Sequence, residues 1–140
     1  MMKSVAILAY TAGIVDGEGN ICIAKQNKYN NSKIELRVTN TNEWLPQWLK
    51  MQFGGRVYLM KDSSRKPNAK DGFRWRVTAR QAGKVLELLL PYLQIKKPQA
   101  EIALSFQKRR KSPSNKISET TKALDERDKL LMSQYNHRGK

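Results

Sequence analysis

Ala9-Tyr10-Thr11-Ala12-Gly13-Ile14-Val15-Asp16-Gly17-Glu18-Gly19-Asn20 reads as a helix that stops at two glycines, with a carboxylate held between them. Ala9, Gly13 and Gly17 recur every four residues, so the helix has one nearly side-chain-free edge. Glu18 follows directly, flanked by Gly17 and Gly19, where glycine makes the backbone permissive. A smooth edge invites close approach of another backbone and would carry the carboxylate into that contact. Taken alone, small residues at this spacing more often serve packing within one chain, so the edge by itself does not name its partner.

Working outward, Ser4 is placed to cap this first helix, and Val5, Ile7, Leu8, Ile14 and Val15 give it apolar sides. Asn20 to Gln26 then alternates, with Ile21 and Ile23 on one face and Asn20, Cys22, Ala24 and Gln26 on the other. Residues 27–32 are turn chemistry, and Lys33 to Thr39 alternates again, with Ile34, Leu36 and Val38 inward. Glu43 to Phe53 returns to helical spacing, tolerating Pro46 in its first turn and stopping at Gly54-Gly55. A second hairpin sets Val57 and Leu59 against Arg56 and Tyr58, then Phe73, Trp75 and Val77 against Arg74, Arg76 and Thr78, across a polar, basic loop. Helices are expected over Gln81 to Leu93, Pro98 to Arg110 and Ser118 to Tyr135, the last bearing Leu124, Leu131 and Tyr135 on one side. Ser112-Pro113-Ser114-Asn115 is the clearest linker. The fold class is α+β: a four-stranded antiparallel sheet with helices on one face and a polar face left bare. The helix–strand–strand unit occurs twice, without a residue-level repeat.

The chain of 140 residues is long enough to bury a core without disulfides or structural metal. Cys22, the single cysteine, can neither bridge within the chain nor build a zinc site, which fits a reducing compartment. No apolar run approaches the ~18–20 residues of a membrane span. Lys3 and its short apolar run are followed by Asp16 and Glu18 without a signal-cleavage pattern, so mature, intracellular protein is expected from Met1 onward. Lys and Arg number 27 against 12 Asp and Glu, a net charge of +15 that favours a polyanionic partner. Residues 55–80 carry a net +6 and residues 94–111 a net +5, whereas the stretch from Ser118 is nearly balanced.

The outward strand positions mix Lys33, Arg37, Arg56, Arg74 and Arg76 with Asn20, Gln26, Thr39, Tyr58 and Thr78. Arginine and lysine neutralise phosphates or read guanine, and Asn and Gln read adenine, so the face suits nucleic acid. Binding of single-stranded RNA by stacking requires several outward aromatics, and only Tyr58 qualifies. Double-stranded DNA is therefore the expected partner, contacted by Asn20, Cys22, Ala24, Gln26, Lys28, Lys33, Glu35, Arg37, Thr39, Arg56, Tyr58, Arg74, Arg76 and Thr78.

Thr11-Ala12-Gly13-Ile14-Val15-Asp16-Gly17-Glu18-Gly19 resembles the signature of the LAGLIDADG homing endonucleases, differing chiefly at Thr11, where that motif has leucine. The resemblance covers residues 4 to about 110 and excludes the C-terminal stretch. It implies a helix-hairpin-helix-hairpin-helix core over residues 1–111, with 112–140 as linker and C-terminal helix. It also implies a site-specific DNA endonuclease that hydrolyses phosphodiester bonds with Mg2+ or another divalent cation such as Mn2+, Ca2+ being a non-catalytic substitute. Glu18 matches the metal-binding acid of the motif, usually aspartate, with the Gly17 carbonyl beside it; Asp16 matches the acid that is more often structural. Asn40 matches the polar residue that holds water near the metal, with Thr41 and Asn42 as neighbours that leave the register open. Lys96 matches the lysine that stands by the scissile phosphate, and Lys97 is its solvated neighbour. His137, the only histidine, lies far along the chain and is no candidate for a general base.

One motif implies one half-site. The expected assembly is a homodimer in which two first helices meet along Ala9, Ala12, Gly13, Asp16 and Gly17, cutting a near-palindromic target. Two alternatives share the scaffold: an RNA maturase assisting intron splicing, for which the basic run Lys108-Arg109-Arg110-Lys111 could serve, and a catalytically silent DNA-binding regulator. The compartment would follow the encoding genome: bacterial or phage cytoplasm, or an organelle.

Overall fold

The computed structural model describes residues 3–25, 32–61, 71–110 and 118–137. The turn over 27–31, the loop over 62–70 and the linker at 112–115 lie outside these residues, as do Gln26 and Lys28. In chain order the elements are α1 (Val5–Glu18), β1 (Gly19–Lys25), β2 (Ser32–Asn40), α2 (Trp44–Phe53), β3 (Arg56–Met60), β4 (Gly72–Thr78), α3 (Ala79–Leu89), a 3-10 turn (Leu90–Tyr92), α4 (Lys97–Lys108) and α5 (Glu119–His137).

The strands form one antiparallel sheet in the order β1-β2-β4-β3. The expected alternation holds across the sheet except at Leu59 and Glu35. Ile21, Ile34, Leu36, Val38, Trp75 and Val77 are buried together with Leu8, Val15, Leu49, Leu86, Leu89 and Phe106 from the helices. Leu59 shares the inner parity but is exposed, because it lies on the edge strand β3 opposite Phe73 at the end of the ladder. Trp75 is the largest fully buried side chain, and its Nε1 donates to the Gly54 carbonyl at 2.7 Å. That contact needs α2 to end sharply. Gly54 and Gly55 adopt φ 79° and 95°, and a Cβ on Gly55 would lie 2.6 Å from the Arg76 carbonyl.

Ser4 caps α1 as its hydroxyl accepts from the Ile7 amide at 3.2 Å. The end of α1 differs from the expectation. The helix runs through Gly17 to Glu18, and Gly19 is extended at φ −82°, so no glycine here relieves a left-handed backbone. Gly19 is required for space instead: a Cβ there would stand 2.8 Å from both the Val15 Cα and its carbonyl oxygen. Helix α3 starts two residues earlier than expected and narrows to a 3-10 turn at Leu90, where Pro91 removes a donor.

Helix α5 packs against α4 and β1. Leu124, Leu131 and Tyr135 are half-buried on its inner side, but its most buried residues are Asp125, Asp128 and Met132. Both acids hold Arg109, and Asp125 also holds Arg110 at 2.6 Å, while both guanidiniums lie over the Phe106 ring. Asn136 Nδ2 donates to the Ile21 carbonyl at 3.0 Å, closing α5 onto the start of β1. None of the helices among the described residues is long and apolar enough to cross a membrane.

Candidate active site and nucleic-acid interface

Three distant segments meet at the C-terminal end of α1. A helix end leaves its last four carbonyls without intrahelical donors and carries partial negative charge. Lys96 meets both needs. Its Nζ donates to the Val15 carbonyl at 3.1 Å and to the Asp16 carbonyl at 3.0 Å. Burial pulls the Lys96 ammonium below the usual lysine range, and the Asp16 carboxylate partly restores it.

Asp16 holds the segment that carries Lys96. Its carboxylate accepts from the backbone amides of Gln94 at 2.9 Å, Ile95 at 3.0 Å and Lys96 at 2.9 Å. The first acid of the motif therefore binds a turn of its own chain. Glu18 is exposed, and the Asn40 Nδ2 donates to its Oε2 at 2.8 Å. The Asn40 Oδ1 accepts from the Asn42 amide at 2.8 Å, and the Asn42 side chain accepts from the Trp44 amide at 2.9 Å. Of the neighbouring polar residues, Asn40 is thus the one turned towards Glu18, with its amide oriented by the start of α2.

Glu18 and the Gly17 carbonyl offer hard oxygens at an open position, a donor set that fits magnesium, which takes few protein ligands and completes its shell with water and phosphate. Among the described residues no group of three or more His, Cys, Asp or Glu side chains could hold a metal by itself.

The open edge of α1 runs Val5, Ala9, Gly13, Gly17. Val5, one of the apolar residues of this helix, is 64% exposed at its start. Among the described residues a Cβ on Gly13 or on Gly17 would meet nothing within 4 Å, so packing against them does not explain either glycine. Ala12, expected on this edge, is fully buried and belongs to the core, one helical step round from the open side. Beside the edge the apolar surface continues: Tyr10 meets Trp48 edge to face at 5.3 Å, Trp48 stacks on Trp44 at 6.0 Å, and Trp44 and Met51 are exposed. Trp44 and Trp48 share the helical spacing of α2 with Leu45 and Leu49, and that spacing does not reveal the exposure of Trp44.

The outer face of the sheet is basic. Asn20, Arg37, Arg76 and Arg56 form one straight row across all four strands, and Thr39, Arg74 and Tyr58 form the next. Arg74 Nε donates to the Thr39 hydroxyl at 3.1 Å. Hydrogen bonds from Arg76 and Arg56 draw the Tyr58 hydroxyl below its usual pKa. Cys22, Ala24, Lys33 and Thr78 complete the face, each half-buried. Glu35 is the correction: expected as a contact residue, it is buried, and its carboxylate is taken by Arg76 and Arg37 and by the Cys22 thiol at 3.4 Å. Burial pushes that thiol up to about 11.

This architecture, with the motif helix ending at the sheet, is the LAGLIDADG homing-endonuclease fold. I-CvuI, a homing endonuclease solved in complex with a DNA target, shares it at TM-score 0.66 and 24% identity, over 94% of this chain and 80% of that one. The archaeal intron-encoded homing endonuclease I-Vdi141I, complexed with DNA, matches at TM-score 0.72 and 14% identity, over 93% of this chain and 84% of that one. The LAGLIDADG homing endonuclease I-GzeII, in complex with its DNA target, matches at TM-score 0.65 and 14% identity, over 89% of this chain but 43% of that one. No protein-family model matches the sequence, and no curated protein does.

Proposed function

We propose that the protein is a site-specific double-stranded DNA endonuclease that acts as a homodimer on a near-palindromic target. The observation that carries this reading is the meeting of Glu18, Asn40 and Lys96 at one helix end, each with bonding capacity left over. An ammonium has three donors, and Lys96 uses two on α1, leaving one for a phosphate oxygen. The Asn40 amide gives one N–H to Glu18 and keeps a second for a water. Glu18, with the Gly17 carbonyl, would hold a divalent cation, which supplies Lewis-acid polarisation at the scissile phosphate when bound. Lys96 then offsets the negative charge that develops on phosphorus oxygens, and Asn40 orients the attacking water.

The basic outer face supports duplex DNA as substrate. Its arginine row spans the sheet, and Tyr58, the one outward aromatic on the described strands, is engaged by two arginines, which disfavours base stacking on single strands. The open glycine edge of α1 supports pairing with a second copy, so that each Glu18 serves one strand. Arg109 and Arg110, which could have served RNA, are ion-paired to α5, so no observation favours the maturase reading.

The test is incubation of the purified protein with a random-site plasmid library, with and without magnesium. Magnesium-dependent double-strand breaks at one long, near-palindromic sequence are expected. Tight duplex binding with no member of the library cleaved in magnesium or manganese would leave the regulator reading in place of this one.

A further inference from the structure

Glu35 is the only acid in the four described strands. It faces Cys22 on one side and Thr78 on the other, on the outer parity of the sheet, yet is 4% exposed. The row beside it places Arg37, Arg76 and Arg56 opposite one another on adjacent strands, about 4.8 Å apart in the direction of the ladder. Like charges so placed repel. Glu35 meets this repulsion at its centre: Oε1 takes the Arg76 Nε, and Oε2 lies 3.6 Å from the Arg37 guanidinium and accepts from Cys22. Tyr58 holds Arg76 from the β3 side.

The Arg76 guanidinium, committed to Glu35 through Nε, keeps terminal N–H groups besides the contact with Tyr58, and Arg37, which meets Glu35 through one terminal nitrogen, keeps the other; such N–H groups lie in a plane and match the acceptor pair on guanine. An unanchored arginine swings on a long stem to the nearest phosphate, adding affinity without sequence information. We infer that Glu35 is a positioning residue of the outer face, fixing Arg76 and Arg37 so that they read base edges instead of neutralising phosphates. The inference rests on the duplex-DNA reading above.

The test compares the full chain with its Glu35→Gln and Glu35→Asp variants. Each is titrated, without divalent metal and over a salt series, onto the duplex that the wild type selects from a random library and onto a random duplex of equal length. Glu35→Gln, having lost a negative charge, should bind random duplex at least as tightly as wild type, with an equal or steeper salt slope, while its preference for the selected duplex falls about tenfold. Glu35→Asp keeps the charge but retracts it, so preference falls while random-duplex affinity holds. Adding Arg76→Ala to Glu35→Gln should cost no further preference. Near-UV circular dichroism reports the folded fraction, and if Glu35→Gln does not fold, Glu35→Asp decides alone. Unchanged preference, or equal loss on both duplexes in a folded variant, overturns the inference. A wild type that prefers no duplex over random overturns the duplex-DNA reading and this inference with it.

Discussion

Asp16 and Lys96 hold each other through both backbone and side chain: the Asp16 carboxylate accepts from the Lys96 amide at 2.9 Å, and the Lys96 ammonium donates to the Asp16 carbonyl at 3.0 Å. The end of α1 and the start of α4 are thereby one unit, and the two acids of the motif divide their tasks. Asp16 builds the site; Glu18 faces out of it.

Asp16→Ala leaves three backbone amides without their acceptor and should lower stability by about 2–4 kcal/mol, measured by urea denaturation, whereas Glu18→Gln should change it by less than about 0.5 kcal/mol. Similar losses for the two would contradict this division.

Lys96 has a distinct pH signature. Its folded pKa is below its unfolded value, so between the two the unfolded chain holds the extra proton and stability from this group rises with pH. Wild type should therefore gain stability relative to Lys96→Met as pH climbs towards 10.5, the ordinary lysine value. A flat difference between the two melting curves over pH 8 to 10.5 would count against the half-buried, capping ammonium.

Cys22 acts in the opposite sense. With its thiol pushed up from 9.0 to about 11, the unfolded chain ionises first, and stability from this group falls as pH rises between those values. Alkylation of the folded protein by iodoacetamide at pH 8 should be at least about tenfold slower than that of the urea-unfolded chain. Equal rates would place the thiol in solvent, away from Glu35.

The glycine edge separates fold from assembly. Gly13→Ala fills open space on a helix and should stabilise the isolated chain by about 0.5–1 kcal/mol. Gly13→Leu should leave the chain folded but monomeric by analytical ultracentrifugation, and Trp44→Ala, at the aromatic shelf beside the edge, should weaken the dimer. A Gly13→Leu variant that dimerises as tightly as wild type would remove α1 from the interface.

The two hairpins and their faces were legible because each strand alternates, and Trp75 and Val77 fell inward on parity alone. The order β1-β2-β4-β3 was not, since both hairpins satisfy the same pattern whichever strand is central. Glu18, Asn40 and Lys96 were legible through the motif and its context, and the structure brings them to one helix end. The amide donors to Asp16 and the burial of Glu35 were hidden for one reason. Both depend on partners contributed by other elements, 78–80 residues away for Asp16 and 41 residues away between Glu35 and Arg76. Alternation said only that Glu35 points outward, and an outward acid among arginines looks like one more contact until the ion pairs are seen.

The most direct measurement is the action of wild type and Glu18→Gln on one duplex carrying the target selected from the library. The account predicts that wild type makes a magnesium-dependent double-strand break there, while Glu18→Gln binds the same duplex with an affinity within about threefold and cuts neither strand. Undiminished cleavage by Glu18→Gln would contradict it.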